Sequence, residues 1–379
     1  MKILAIDTSC DDTCAAVLEN DKILSNVISS QTDLHAKWGG VVPDIAKRAH
    51  AERIDAVIAT ALKRANPSVL RTSPFDKREK LTMIIENGMK EIDVIAVTIG
   101  PGLAIALGVG VNRAKELAQK YNKKIVAVNH VEGHILSNFA KNSQNKPDRK
   151  IEFPALVLTV SGGHTKLILM KNPSKSPSSK EDRGFDKGDF NPKYTVIGET
   201  LDDAAGEALD KASKMLGLGY PGGPIIERLA LKGDIDWMKL PRPLSTQKTF
   251  DYSFSGLKTS FYYQIKDWPK EKISANLADL AASFQEAVFD SLLIKYKLAI
   301  KEFKPKTLLA SGGVLANKDL RKKLRKLAKD FSLPIYMPFK KELNTDNAAM
   351  IGVVGYYKAL RLEFVEDIEN LDRMPRAEI

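Results

Sequence analysis

Lys2-Ile-Leu-Ala-Ile-Asp-Thr-Ser-Cys-Asp-Asp-Thr-Cys-Ala-Ala-Val-Leu-Glu-Asn-Asp-Lys-Ile-Leu-Ser-Asn-Val-Ile-Ser29 is the stretch whose reading decides the fold. Three short apolar runs, 2–8, 13–19 and 22–29, are separated by Asp and Asn positions suited to tight turns. They predict a three-stranded meander. Downstream, Ile45, Ala49, Ile54, Val57 and Ile58 fall on one face of a helix over 44–64. A helix over 80–90 and a strand over 93–98 follow, and Gly100-Pro101-Gly102 breaks the chain. A helix over 103–121, a strand over 124–128 and a helix beginning near His130 complete this half.

The order then repeats with different residues. Strands are expected over 154–160, 165–170 and 194–198, a helix over 202–216 and a helical insertion over about 219–275. A long helix (277–303), a strand (307–310), a basic helix (317–329), a strand (333–337) and a helix from 346 follow. Two tandem βββαβαβα units predict an α/β protein of two RNase H-like halves facing each other across a ligand cleft. The expected division is 1–129, 130–345 and a C-terminal helix and tail, 346–379. Segments 65–78, 141–150 and 171–193 lack periodicity and are rich in Lys, Ser, Pro, Asn and Asp, as inserted loops are. The tail after 363 has no pattern.

The chain has 379 residues, 44% of them hydrophobic, enough for a substantial core. Its 58 Lys and Arg against 47 Asp and Glu give a net charge of +11, which favours an anionic partner, nucleic acid first. No run of 18 apolar residues is present, and the N-terminal apolar stretch is too short for a secretory signal. A cytosolic protein without a membrane partner is expected. The only cysteines, Cys10 and Cys14, read as small core or near-core residues, because no second pair or nearby His completes a zinc pattern.

In His130-Val131-Glu132-Gly133-His134 a spacing of four puts both imidazoles on one helical face, about one turn apart. The alternative is two exposed histidines at a helix start. This is not the zinc-peptidase pattern, which needs Glu directly after the first His, where Val131 stands. A third ligand must come from elsewhere, and Asp346 in Asn344-Thr-Asp-Asn-Ala-Ala-Met350 is the leading choice. Spacing alone favours a plainer role for Asp346, as N-cap or first-turn acid. Two His and one carboxylate leave open coordination positions, suited to a Lewis acid.

Val160-Ser161-Gly162-Gly163-His164 and Ala310-Ser311-Gly312-Gly313-Val314 lie at strand ends. Such turns let backbone amides approach an anion, and two of them, expected at opposite ends of one domain, would cradle a nucleotide. Gly217-Leu-Gly-Tyr-Pro-Gly-Gly-Pro224 could wall the same cleft. There is no P-loop. Asp203, Glu207 and Asp210, with Glu199 and Asp202 nearby, have the spacing of one helical face, either solvated or at the cleft rim. On the basic helix, Lys318, Arg321, Lys322, Arg325 and Lys329 form one stripe by i, i+3, i+4 spacing, suited to nucleic-acid phosphates. Its plainer reading is a solvated helix packed through Leu320, Leu324 and Leu327.

These residues together resemble the TsaD family. The resemblance runs over nearly the whole chain: Asp7-Thr-Ser-Cys-Asp-Asp-Thr13, Gly39-Gly-Val-Val-Pro-Asp-Ile-Ala-Lys-Arg-Ala-His50, Gly100-Pro-Gly-Leu103, Asn129-His-Val-Glu-Gly-His134 and Ser161-Gly-Gly-His-Thr165. It continues through Gly198-Glu-Thr-Leu-Asp-Asp-Ala-Ala-Gly-Glu207, Tyr220-Pro-Gly-Gly-Pro224, Phe254-Ser-Gly-Leu-Lys258, Ser311-Gly-Gly-Val-Leu-Ala-Asn317 and Thr345-Asp-Asn-Ala-Ala-Met350. The resemblance implies the two-lobed actin/Hsp70/sugar-kinase (ASKHA) fold. The implied reaction moves a threonylcarbamoyl group from threonylcarbamoyl-AMP to the exocyclic amine of the adenosine beside the anticodon, in tRNAs reading ANN codons. It further implies that His130, His134 and Asp346 bind one divalent metal per subunit, iron or zinc. Thr159, Val160, Ser161, Gly162, Gly163, Asp210, Gly223, Glu227 and Asn317 are the implied adenylate contacts. The bacterial form of the motifs implies TsaB-like and TsaE-like partners, with a TsaC-type enzyme upstream. Ile105 departs from the family's usual Gly. The general base is not identifiable from sequence, and Asp11 and Asp12 are its candidates. A small-molecule kinase or ATPase of the same fold is the main alternative, and it leaves His130 and His134 unexplained; a metallopeptidase and a non-catalytic scaffold fit the motifs less well.

Overall fold

The structure, a computed structural model, describes residues 1–67, 77–172 and 190–379. The first half comprises β1 (Lys2–Asp7), β2 (Asp12–Glu19), β3 (Lys22–Ser30), α1 (Thr32–Ala36), α2 (Pro43–Ala65), α3 (Lys77–Met89), β4 (Val94–Gly100), α4 (Ala104–Tyr121) and β5 (Lys124–Asn129). The second follows with α5 (His130–Leu136), β6 (Ala155–Val160), β7 (Thr165–Lys171), β8 (Lys193–Glu199), α6 (Ala205–Met215), α7 (Gly222–Ala230), α8 (Ser255–Ile265) and α9 (Lys270–Ala275). It ends with α10 (Leu277–Phe303), β9 (Thr307–Ser311), α11 (Lys318–Asp330), β10 (Ile335–Tyr336) and α12 (Ala348–Leu360).

Among these residues the strands form two five-stranded sheets, ordered β3-β2-β1-β4-β5 and β10-β9-β6-β7-β8. Read from opposite ends, the two orders are the same topology. In each, an antiparallel three-stranded meander continues into two parallel strands. β1 and β2 are buried at nearly every position because both faces of their sheet are covered. Leu4, Ile6, Ala15 and Val17 pack towards α2, α3 and α4, whereas Ile3, Ala5, Cys14, Ala16 and Leu18 join a core that includes α5, α12, β6 and β7.

α5 and α12 lie in the core shared by the two sheets. α12 ends the second half in sequence yet rests on the first sheet. At Gly352 a Cβ would stand 2.1 Å from Leu18 Cδ1, and at Gly355 2.5 Å from Ala96 Cβ, so the helix backbone touches the strands directly. The tail that lacks a sequence pattern also returns to the first lobe. Val365 N–H donates to Ile125 O (2.9 Å), Met374 N–H to Ile99 O (2.6 Å), and Gly102 N–H to Pro375 O (3.1 Å).

Three local expectations need correction. The strand expected over 333–337 is only Ile335–Tyr336, since Pro334 and Pro338 flank it and neither can donate to a ladder. The helix expected from 202 starts at Ala205, because Asp202 instead accepts from Phe254 N–H (2.7 Å) and Ser255 N–H (3.2 Å) at the start of α8. Asp203 pairs with Lys211 (2.6 Å) and Lys258 (2.5 Å), tying the inserted helices to α6 rather than joining a helix face. Of the expected loops, 141–150 is irregular, while most of 65–78 and 171–193 lies outside the described residues. Among the described residues, no helix is long and apolar enough to cross a membrane.

Candidate metal centre and nucleotide cleft

The C-terminal ends of β1, β4, β6 and β9 converge on a cleft of about 670 Å³. His130, Asp346, Asp11 and Asp12 line it together with Ser161, Gly162, Gly163, Asp210 and Gly313. Among the metal and nucleotide residues singled out from sequence, His134, Thr159, Val160, Gly223, Glu227 and Asn317 are not part of its lining.

α5 starts where β5 ends because Asn129 Oδ1 accepts from the N–H groups of Val131 (2.8 Å) and Glu132 (3.2 Å). This cap fixes His130 and His134 on one turn, their rings edge to face with centroids 4.8 Å apart. From the start of α12, Asp346 Oδ1 reaches 3.4 Å from His130 Nε2 and 3.3 Å from His134 Nε2. The N-cap role that spacing favoured for Asp346 belongs to its neighbour, since Asn347 Oδ1 accepts from Met350 N–H (3.1 Å). Asp346 is left free to face the histidines.

The three residues fit a metal ion. One ligand atom from each lies within 4.8 Å of the others. Two atoms each about 2.1 Å from an ion at a tetrahedral angle are separated by about 3.4 Å, the spacing of Asp346 Oδ1 from each imidazole. His134 is fully buried, and neither of its ring nitrogens has a hydrogen-bond partner among the described residues. An orphaned imidazole is costly, and coordination satisfies it. Burial opposes a charge on His130, but the carboxylates of Asp346 and Asp7 outweigh it and push its pKa up to about 10. Burial, followed by the charge of His130, lowers the pKa of His134; Asp346 is held well below the usual carboxylate range by the two histidines despite burial. The arrangement attracts positive charge, and a divalent ion would take the proton's place.

The two Ser-Gly-Gly turns correct the sequence reading. They do not sit at opposite ends of a domain but end neighbouring parallel strands, with Thr159 opposite Ser311. Gly312 has φ +99°, and a Cβ there would stand 2.3 Å from Val160 O. That close approach brings the turns together. Ser161 N–H donates to His164 O (2.7 Å), closing the first turn, and a Cβ on Gly162, Gly163 or Gly313 would meet no atom within 4 Å. Backbone on the cleft side is therefore open to a ligand.

The remaining nucleotide candidates surround this cradle unequally. Thr159 and Val160 have fully buried side chains, so a ligand meets only their backbone turn. Asp210 Oδ1 accepts from Gly222 N–H (2.7 Å) and Gly223 N–H (3.1 Å), anchoring α7; burial raises its pKa against these two bonds. Glu227 Oε1 accepts from Lys318 N–H (2.8 Å), and Asn317 caps α11 through Asp319 N–H (2.9 Å) and Leu320 N–H (3.2 Å). Asp210, Glu227 and Asn317 thus brace α6, α7 and α11 around the turns.

Asp12 has a buried Oδ1 with no partner among the described residues, and its pKa is pushed up to about 7. Burial is the main cause, with Asp11, Asp346 and Asp7 adding repulsion against a hydrogen bond from Ser30. Burial and the charge of Asp346 also raise Asp11. On α11, Lys318, Lys322 and Arg325 are exposed and Arg321 is partly buried, while Leu320, Leu324 and Ala328 pack inward. The plainer reading, a solvated helix packed inward through Leu320 and Leu324, describes it, with Leu327 only half-buried.

Residue-by-residue reading missed two contacts. Asp7 Oδ2 lies 3.5 Å from His130 Nδ1, on the side of the ring away from Asp346. His164 brings its ring centroid 6.4 Å from that of His130, and burial with the two histidines' charges drives its pKa down to about 3. Both sit within quoted motifs, but only the fold puts them beside His130.

Fold and site define a two-lobed ASKHA α/β protein carrying a His-His-Asp cluster in the cleft between its lobes. Among solved structures, HypF of T. kodakarensis has the same fold, with TM-score 0.52 and 13% identity over 96% of this chain and 47% of that chain. The sequence profile of TsaD, tRNA N6-adenosine threonylcarbamoyltransferase, matches residues 22–71, 79–183 and 189–353. The tRNA N6-adenosine threonylcarbamoyltransferase of Thermosipho africanus is 40% identical over 379 residues, 100% of both chains, and that of Kosmotoga olearia is 44% identical over 361, covering 95% of this chain and 94% of the other. The chain belongs to the TsaD family. Membership sets aside the kinase or ATPase alternative.

Proposed function

We propose that this chain transfers the threonylcarbamoyl group from threonylcarbamoyl-AMP to the exocyclic amine of the adenosine beside the anticodon, in tRNAs reading ANN codons, with release of AMP. Family membership supports the reaction, and one observation supports its location: His130 and Asp346 line the same cleft as the open turn at Ser161, Gly162 and Gly163.

In this reading the amides of the two Ser-Gly-Gly turns hold the AMP phosphate, and Asp210, Gly223, Glu227 and Asn317 keep the surrounding helix ends in place. A divalent ion on His130, His134 and Asp346, iron or zinc by ligand type, would supply Lewis-acid binding of the threonyl oxygens. The adenosine amine attacks the carbamoyl carbon, the bond from that carbon to the phosphate oxygen breaks, and the amine proton passes to a base. Asp12, with its raised pKa and place in the cleft, is the first candidate, and Asp11 the second. No covalent enzyme intermediate is required; positioning carries the reaction. TsaB-like and TsaE-like proteins are the proposed partners, a TsaC-type enzyme the adenylate's source, and the cytoplasm the location.

Release of AMP from threonylcarbamoyl-AMP in a single turnover tests the order of events. Release that requires tRNA agrees with direct transfer. Equal release without tRNA would point to hydrolysis and contradict the proposal.

A further inference from the structure

Outside the cleft, α11 and β10 border a second concavity of about 210 Å³, lined by Arg149, Arg321, Arg325, Tyr336 and Met337. Arg149 is locked in place: its guanidinium donates to Asn138 O (2.7 Å) and Met337 O (2.5 Å) and lies 5.5 Å from the centre of the Tyr336 ring. Arg321 and Arg325 are four residues apart on α11, so both project from one face.

All the partners of Arg149 are neutral dipoles. Among the described residues, none of the three arginines is paired with a carboxylate, in contrast to Lys323 on the same helix, which meets Glu286 at 2.7 Å. The like charges work against each other. Burial and then the positive charge of Arg321 lower the pKa of Arg149 to about 10, and burial and Arg325 lower that of Arg321. Three guanidinium groups gathered in a concave site without a counter-charge repel one another, and an oxyanion that accepts their paired N–H donors relieves the repulsion.

The geometry points to an oxyanion pocket at Arg149, Arg321 and Arg325 that takes a backbone phosphate of tRNA and shares no lining residue with the adenylate cleft. The nature of the occupant rests on the tRNA reading above; the anion pocket itself rests on the arginines. A tRNA phosphate suits the site better than a small metabolite. The pocket is open, the chain carries net charge +11, and the exposed cations Lys318 and Lys322 extend the same helix towards Gly313 at the cleft. With about 1.5 Å of rise per residue, Arg325 lies about 10 Å along the helix from Lys318, within the footprint of one strand.

The test is equilibrium binding of a tRNA transcript as salt rises from about 50 to about 200 mM, for the wild type, Arg325→Gln and Arg321→Gln/Arg325→Gln. Loss of one phosphate contact lowers the slope of log affinity against log salt by about 0.7–0.9, so the double variant should show at least that drop, with threonylcarbamoyl-AMP binding unchanged. Arg325→Lys should keep most of the slope. An unchanged slope in both Gln variants overturns the proposal. If the double variant does not fold, the exposed Arg325→Gln decides alone. In a parallel arm, inorganic phosphate is tested for its effect on the melting midpoint. A midpoint rise that the double variant loses, with the tRNA slope intact, would assign the pocket to free phosphate and overturn the nucleic-acid occupant. A reduced slope in variants of a protein that forms no modified nucleoside would leave the pocket standing and fell the catalytic reading instead.

Discussion

Asp7 and His130 face each other at 3.5 Å, Oδ2 to Nδ1, on the side of the imidazole away from Asp346. Asp7 is the last residue of β1 and His130 the first of α5, so the contact joins the first sheet to the helix that carries both histidines. A carboxylate behind a metal-binding histidine fixes the ring's tautomer and raises its basicity. Asp7→Asn should therefore lower metal affinity by about 10–100-fold without removing a ligand. Titration against a competing chelator measures this, and wild-type affinity in the variant would refute the role.

His134 is fully buried, its Nδ1 without a partner among the described residues and its Nε2 facing Asp346 at 3.3 Å, so its removal should cost the metal more than the fold. His134→Ala is expected to lose bound metal and transfer activity together, with the circular dichroism spectrum retained. Stoichiometric metal in the double variant His130→Ala/His134→Ala would show that the ion binds elsewhere.

Gly163 and Gly312 separate ligand space from backbone space. Gly163→Ala adds a methyl group to open space, so stability should stay within about 0.5 kcal/mol while affinity for threonylcarbamoyl-AMP falls. Gly312→Ala combines φ +99° with overlap onto Val160 O, and the backbone conformation alone costs about 1–3 kcal/mol. Urea unfolding and adenylate titration on both variants check the contrast. Equal adenylate affinity in Gly163→Ala and the wild type would remove that turn from the cradle.

Asp12 gives the metal-free protein a pH dependence. Its folded pKa of about 7 exceeds the usual 3.8, so the folded state binds its proton more tightly than the unfolded chain does. Stability from this residue is therefore present below about pH 4, declines as pH rises towards about 7, and is level above that. Asp12→Asn should match the wild type near pH 4 and be the more stable of the two near pH 8. Each pKa unit is worth about 1.4 kcal/mol, an upper bound because water reaches the cleft. Parallel pH profiles from urea unfolding of chelator-treated proteins would contradict the shift.

Much of this was legible in sequence because the signals are local. The apolar runs of β1–β3, the period of α2 and α10, and the four-residue spacing of His130 and His134 depend on neighbours in the chain. What needed the fold is long-range. Nothing local shows that α12 rests on the first sheet through Gly352 and Gly355, or that Asn347 caps it and frees Asp346. The tail is held by backbone bonds at Val365 and Met374 and by partly buried Val365, Ile368 and Leu371 packed on the first lobe, contacts that only the fold reveals. The adjacency of the two Ser-Gly-Gly turns follows from parallel pairing of strands about 150 residues apart, a register that sequence does not carry.

The central claim is threonylcarbamoyl transfer to tRNA, and mass analysis of tRNA nucleosides tests it most directly. Metal-loaded protein is incubated with threonylcarbamoyl-AMP, its proposed partner proteins and tRNAs reading ANN codons, and the digested nucleosides are then weighed. The account predicts adenosine heavier by one threonylcarbamoyl group at the position beside the anticodon, absent with His130→Ala/His134→Ala. Unmodified adenosine from a folded, metal-loaded protein with intact adenylate and partners would contradict it.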